Sequence, residues 1–540
     1  GYSSAASDVY KRQYILGLSL VATLLFASCS DFLDVDSRNT QTTDTFYKTE
    51  GQADQALTGL YHDLLPMSLY SLMLSEVRSD NTYKENDGAQ RDFSSIGKFE
   101  KNIANLSILS NAWNDYYKLV SHANTFLEKV ENIEFANGDI KKQYIGEAHF
   151  LRALAYFDLV RYFGRIPIVT KTISQAEALS LLQSEAVDVY EQVIIPDLEF
   201  ACVNLNNTPK NYLGKNVEGH ATQIAAKALL GRVYLTMAGF PLNDVSKKDL
   251  AKSLLKEVID YAEANNKYWA KTSEEWKRIW ISDNDNKYHI FEIQYQNGGL
   301  GLGNRMVFES CPGLYSAYTI VRIFGNHLYC ERQLSKEFQK TYNGEMDARC
   351  LATIDTTKFV NTDGATPIKY TGDDFYVKFL EHKMKRNQLG YSDIDNSIVD
   401  YNDWPINHPI IRLEDVMLMY AEIVGPTTEG LDMVNRIRTR AGMDPIPSCS
   451  DDEFQKYVDR ERRLELAFEG IRWHDLVRHN NLQAIRDMYI RYATDEETGL
   501  VNPDILALVQ NVQDNMYIYP IPEAQMKVKD GLYIQNEAYK

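Results

Sequence analysis

The chain has 540 residues and a net charge of −18, from 57 Lys and Arg against 75 Asp and Glu. Hydrophobic residues make up 44% and charged residues 24%, ordinary globular proportions that exclude wholesale disorder, and the length suits about two to four domains or one large composite. An acidic chain offers no basic footprint for a phosphate backbone, which argues against a nucleic-acid partner; the 35 tyrosines suit sugar or peptide surfaces as well as packing between helices.

The first residue is Gly rather than Met, which leaves the natural start within residues 1–10 open. Lys11 and Arg12 precede an apolar run from Tyr14 to Ala27 that ends in Phe26-Ala27-Ser28-Cys29. A basic region, a short apolar stretch and small residues before a cut make a secretory signal, and the run is shorter than the ~20 residues of a membrane span. Cys directly after small residues is the pattern of a bacterial lipobox, with Phe26 in place of the more usual Leu. The expectation is a signal peptide over 1–28 and a lipidated tether over 29–48 attached through Cys29. The other cysteines, Cys202, Cys311, Cys330, Cys350 and Cys449, are odd in number and widely spaced, with no CxxC, so no zinc site is expected.

Helical signals follow. Thr49 and Gln52 form a capping-box pattern ahead of Ala53, Ala56, Leu57, Leu60, Tyr61 and Leu64, and Pro66 ends the run. Further helices are predicted over Asn111–Val130, over Lys142–Tyr162 with a stop at Gly164, and over Glu185–Ala201 with a disruption at Pro196. Ala221–Met237 carries Leu230-Gly231-x-x-Tyr234, the core of a tetratricopeptide helix, and Leu250–Ala264 supplies an antiparallel partner. The pairs 142–164/185–201 and 221–239/250–264 read as helix-hairpin repeats, with 50–65/111–130 a looser third. His289–Tyr295 alternates as a strand, and Asn297–Asn304 is Gly-rich. From there to Pro409 loops and short elements dominate. Helices return at Arg412–Val424, Gly430–Ala441 and Asp451–His479, and Tyr519-Pro520-Ile521-Pro522 is extended.

Candidate chemistry is sparse. Within Asp459–His479, five arginines face five carboxylates, which points to ion pairs with neighbouring helices rather than to a phosphate site. His474 and His479 lack the spacing of helical metal ligands, and no HExxH or GxSxG is present. Gly299-x-Gly301-x-Gly303 departs from the nucleotide spacing and reads as a ligand or partner loop. Ser282–Asn286 lacks the Gly and terminal Glu of a calcium loop and reads as a turn. No cofactor, metal or catalytic residue is assigned, and the chain is read as a non-enzyme.

These motifs together resemble the SusD/RagB family of bacterial surface lipoproteins. The resemblance rests on Cys29–Asp34, on Glu147–Ala153 with Tyr162-Phe163-Gly164, and on Ala226–Gly239. It continues through Ile411-Arg412-Leu413, Tyr420-Ala421-Glu422, Val434–Arg438, Arg460–Arg478 and Tyr519–Pro522. It implies a mainly α fold: a SusD-like helical body with tetratricopeptide-like helix-hairpin repeats and an irregular loop-rich region with few short strands. The N-terminal helical-repeat region is expected over 49–285 and the C-terminal region over 286–540. It further implies an outward-facing, lipid-anchored outer-membrane protein that binds oligosaccharide and delivers it to a SusC-like TonB-dependent transporter. Peptide capture by the same architecture is the alternative, and a secreted hydrolase the third reading. By the same resemblance, ligand residues come from early and middle loops: Asp80, Asn81 and Tyr83, then Asn304, Phe308, Tyr315 and Tyr318. Carboxylates and amides there answer sugar hydroxyls, and aromatic faces answer sugar C–H surfaces. The absence of an obvious loop tryptophan cluster weakens the case for a broad polysaccharide platform and leaves room for a smaller ligand.

Overall fold

The fold is described from a computed structural model for residues 46–83, 91–280, 287–306, 329–355, 359–361, 367–369, 375–376, 378 and 402–540. Cys29, Cys311 and the turn at 282–286 lie outside the described residues.

The first helix, α1 (Glu50–His62), is closed by the reciprocal capping box of Thr49 and Gln52. It packs on α2 (Ser107–Val130), and α2 on α3 (Gly138–Phe163), which ends where Gly164 takes φ +72°. A left-handed φ at the end of a helix is the conformation Gly adopts without strain. The next helix is disrupted where Pro196 predicts it. A π turn over Tyr190–Ile194 leads into α4 (Ile195–Asn204), absorbing the missing N–H and the ring clash of a helical proline. Helices α5 (Gln223–Ala238) and α6 (Lys247–Asn265) form the second hairpin. A Cβ on Gly231 would lie 2.8 Å from Leu255 Cδ2, so the small residue sets the close approach of this pair.

The stack does not stop there. Helix α7 (Leu413–Val424) packs on α6, and α8 (Thr428–Arg440) and α9 (Asp451–Glu465) pack on α7. Each added hairpin buries the face its predecessor leaves open, so one continuous apolar core runs from Ala53 to Ile521. Among the described residues no helix is long and apolar enough to cross a membrane.

The single helix expected over Asp451–His479 is two. Chain direction changes between α9 and α10 (Arg472–Arg478), where Phe468 and Gly470 take φ +66° and +79°. The charge pattern keeps a helical period across the break, but the backbone does not. A further helix, α11 (Gln483–Ala493), was not predicted and buries Ile485, Met488, Tyr489 and Tyr492 in a second small core with Trp473.

Strands are short. A four-stranded sheet has the order β1 (Thr82–Tyr83), β3 (Tyr329–Cys330), β5 (Phe375–Tyr376) and β4 (Ile354–Asp355). The predicted strand is β2 (His289–Ile293), paired antiparallel to β6 (His408–Arg412) with Ile293 opposite His408 and Arg412 opposite His289. The C-terminal segment then returns to the N-terminal helices. Tyr519 N–H donates to Tyr162 O at 2.7 Å, and Asn536 Nδ2 donates to Phe163 O at 2.9 Å and Tyr519 O at 2.6 Å.

Candidate ligand-binding site

The early loop runs into the four-stranded sheet. Tyr83 stands opposite Tyr329 in the antiparallel register, at one end of the neighbouring strands β1 and β3. Aromatic stacking fixes this end from below. Tyr83 is stacked on Tyr492 at 3.7 Å and 14°, and Tyr376 on Phe468 at 4.4 Å and 7°. The Tyr376 hydroxyl donates to Asn81 O at 2.7 Å, tying the sheet to the early loop.

The described members of the expected ligand set are placed as follows. Asp80 is 3% exposed, and both its oxygens accept from Arg472, at 2.7 and 3.0 Å. Burial opposes its ionisation, yet the Arg463 and Arg472 guanidiniums hold it well below the usual carboxylate range. Asn81 is fully buried; its oxygen accepts from Arg463 Nε at 2.9 Å and its amide donates to Glu76 at 3.3 Å. Asn304 lies at a different seam. It accepts from Ser68 Oγ at 3.2 Å and Met306 N–H at 3.0 Å and donates to Ile406 O at 2.9 Å. The side chains of Asp80, Asn81 and Asn304 are thus engaged inside the protein, because each meets partners far away in sequence. Tyr83 is buried in its stack. Phe308, Tyr315 and Tyr318 lie outside the described residues.

Beneath the sheet runs a lattice of buried ion pairs, which is where the Arg-rich run goes. Glu465 accepts from Arg440 Nη2 at 2.8 Å, Arg412 Nη1 at 3.0 Å, Arg349 Nη1 at 2.9 Å and Trp276 Nε1 at 2.7 Å. Glu469 accepts from Arg412 Nε at 2.8 Å and from Lys378 at 2.5 Å. Asp475 accepts from Arg462 Nε at 2.8 Å and Arg478 Nε at 3.0 Å. Each carboxylate faces more than one guanidinium or ammonium, which satisfies buried charges that would be costly alone. The pairing expected for Asp459–His479 is present, and its partners lie on several helices, on β6 and in turns such as those of Asp80 and Arg349. His479 pairs with Glu422 at 3.0 Å. Among the described residues no three His, Cys, Asp or Glu side chains are grouped to hold a metal ion.

Among the described residues Glu76 forms no ion pair, and the nearby Lys378 charge only partly offsets its burial. Glu76 accepts from Gly470 N–H at 2.8 Å, and burial pushes its pKa up to about 7. The folded state therefore keeps a proton that the unfolded chain has released, and stability falls as pH rises from about 4.5 to 7. At ~1.4 kcal/mol per unit the loss amounts to about 3 kcal/mol by pH 8. Glu76→Gln is expected to flatten this slope. Urea unfolding at pH 5 and pH 8 checks it; a slope equal to that of the unaltered chain would contradict the assignment.

The tryptophans pack rather than project. Trp276, Trp280, Trp404 and Trp473 are essentially inaccessible, Trp113 is buried, and Trp269 is half-buried beside Arg440. Surface cavities are present among the described residues. One of about 310 Å³ lies among Asp80, Arg460, Arg463 and Arg472. One of about 550 Å³ lies between the end of α3 and the C-terminal segment, and one of about 640 Å³ lies between α1 and the chain following β2.

Known proteins share this architecture. A family model described as "SusD family" matches residues 356–539, and another described as "Starch-binding associating with outer membrane" matches residues 31–235. SusD-like protein P38 of Formosa agariphila is 25% identical over 503 residues, covering 87% of this chain and 92% of that one. The crystal structure of a SusD homolog from Bacteroides thetaiotaomicron superposes with a TM-score of 0.74 at 21% identity, covering 93% and 99% of the two chains. A laminarin-binding SusD-like protein superposes with a TM-score of 0.67 at 23% identity, covering 91% and 100%.

Proposed function

The chain belongs to the SusD/RagB family, and on that premise we propose that it binds oligosaccharides at the bacterial surface and delivers them to a SusC-like TonB-dependent transporter. The observation that carries this reading is the pair of family matches in order along one chain, over residues 31–235 and residues 356–539. The fold-level likeness to a laminarin-binding protein supports it. The protein captures and does not cleave. Its anchor is the acylated Cys29, with 29–48 as the tether to the outer membrane, and its body faces outward. Phe308, Tyr315 and Tyr318 supply aromatic faces for sugar, and Asp80, Asn81 and Tyr83 hold the early loop in place. The two regions 49–285 and 286–540 act as one body.

Calorimetric titration against purified oligosaccharides and peptides tests the function. Saturable heat with a glycan class and no product formed is the expected result. Binding confined to peptides moves the protein to peptide capture, and product formation makes it a hydrolase. The anchor has its own test. Cys29→Ala is expected to move the protein from the salt-washed membrane pellet to the soluble fraction, and its retention in the pellet would count against lipidation.

A further inference from the structure

The cavity of about 640 Å³ lies away from the end of the four-stranded sheet and is walled by Tyr61, Glu218, His220, Gln294, Gln296 and Leu302. Its size falls within the roughly 300–1,000 Å³ of small-molecule sites. We propose that it is a second saccharide pocket, taking a neutral sugar unit; this rests on the glycan-binding reading above and adds a site to it.

The chemistry of the wall selects the ligand. Among the described residues that line it there is no Lys or Arg, and the exposed Glu218 faces it, while Glu292 in the same wall is paired with His289. Phosphates, sulfates and uronates would meet the Glu218 carboxylate with no Lys or Arg to offset it. The Glu218 carboxylate and the Gln296 carboxamide offer an acceptor and a planar donor and acceptor suited to hydroxyl groups, while Asn407 donates to Glu292 at 3.0 Å and accepts from Tyr295 N–H at 2.9 Å. Tyr61 and His220 add an aromatic edge to the wall, their rings packed on one another with centroids 4.4 Å apart at 36°. Both are held from behind by Glu147, which accepts from the Tyr61 hydroxyl at 2.7 Å and contacts His220 Nδ1 at 2.7 Å. Ala221 N–H donates to the same Tyr61 hydroxyl at 2.8 Å.

Gln296 and Leu302, at the two ends of the Gly-rich loop, line the far wall, and the loop is fixed in shape. Gln296 N–H donates to Leu302 O at 3.0 Å, closing the loop on itself. Gly298 and Gly299 N–H both donate to Asp403, at 2.7 and 2.9 Å. A Cβ on Gly303 would lie 2.2 Å from Asn402 O, so the loop rests directly on the backbone beside it. On the opposite wall a Cβ on Gly219 would lie 2.2 Å from the Gln294 carboxamide, and its absence gives that amide its place in the cavity. The pocket is therefore formed before any ligand arrives, which limits the ordering cost of binding.

The full chain is titrated with cellohexaose, laminarihexaose and a xyloglucan heptasaccharide, alongside Gln296→Ala, Leu302→Trp and the double variant Phe308→Ala/Tyr315→Ala. Gln296 is exposed, so its truncation leaves melting unchanged, and Leu302→Trp fills the cavity. Each cavity variant is expected to weaken binding of at least one glycan about tenfold. Cavity variants that bind like the unaltered chain, while the double variant loses affinity, overturn the pocket and leave the glycan-binding function standing. An unaltered chain that binds none of the three overturns both. Oligolysine displacing bound glycan from the double variant overturns the assignment of a neutral ligand.

Discussion

Glu465→Ala is expected to destabilise the protein by at least about 3–5 kcal/mol, the cost of removing one partner from a buried ion pair. The site exceeds a simple pair. Arg349, Arg412 and Arg440 all donate to this one carboxylate, and each is at most 8% exposed. Removing it leaves three guanidiniums sharing Asp347, Glu414, Glu461 and Glu469, and leaves the Trp276 N–H without its acceptor. Burial alone would raise the pKa of Glu465, but Arg440, Arg412 and Arg349 hold it well below the usual range. A depressed folded pKa gives stability that is present at neutral pH and lost as pH falls through the acidic range. The difference between the unaltered chain and the variant is therefore largest near pH 7 and narrows on acidification. Urea unfolding at pH 7 measures it, and a loss under 1 kcal/mol would mean that the lattice redistributes its charges freely.

Gly470→Ala is the second large effect, expected at about 2–5 kcal/mol. Two costs combine. The residue holds φ +79°, and its new Cβ would lie 2.5 Å from Ser71 Cβ. Gly442 separates the two, since it holds φ +78° with open space where a Cβ would go. Gly442→Ala is expected to cost only the conformational part, about 1–2 kcal/mol. Comparing the two variants by urea unfolding isolates the close approach of the α9–α10 turn to the helix carrying Ser71. Equal losses would show that the contact with Ser71 contributes nothing.

Which parts of this were legible in the sequence depends on the range of the interaction that decides them. The capping box at Thr49, the stop at Gly164, the disruption at Pro196 and the close helix approach at Gly231 are decided within a few residues or by one missing side chain, and all were readable. The break after α9 was not, because Arg462, Arg463, Glu465 and Glu469 keep a helical charge period while their partners lie in other elements. Helix α11 did carry a signal, with Ile485, Met488, Tyr489 and Tyr492 at helical spacing, which the polar segment around it obscured. Asp80 and Asn81 look like an exposed polar turn from their neighbours alone. Their burial follows from Arg463 and Arg472, nearly 400 positions away, and no local pattern carries that information. The pocket at Tyr61 and Gln296 was equally hidden, since it joins α1, the turn before α5 and the Gly-rich loop; only the loop itself stood out.

The return of the C-terminal segment to the first helices has a consequence for how the chain is made. Tyr162 receives Tyr519, and buried Arg78 donates to the Tyr539 hydroxyl at 2.8 Å while lying over the rings of Phe99 and Tyr519. These contacts cannot form until the last residues are available, and such non-local closure is slow. The first helices therefore reach their final packing only when the whole chain, to its last residues, is present to close on them.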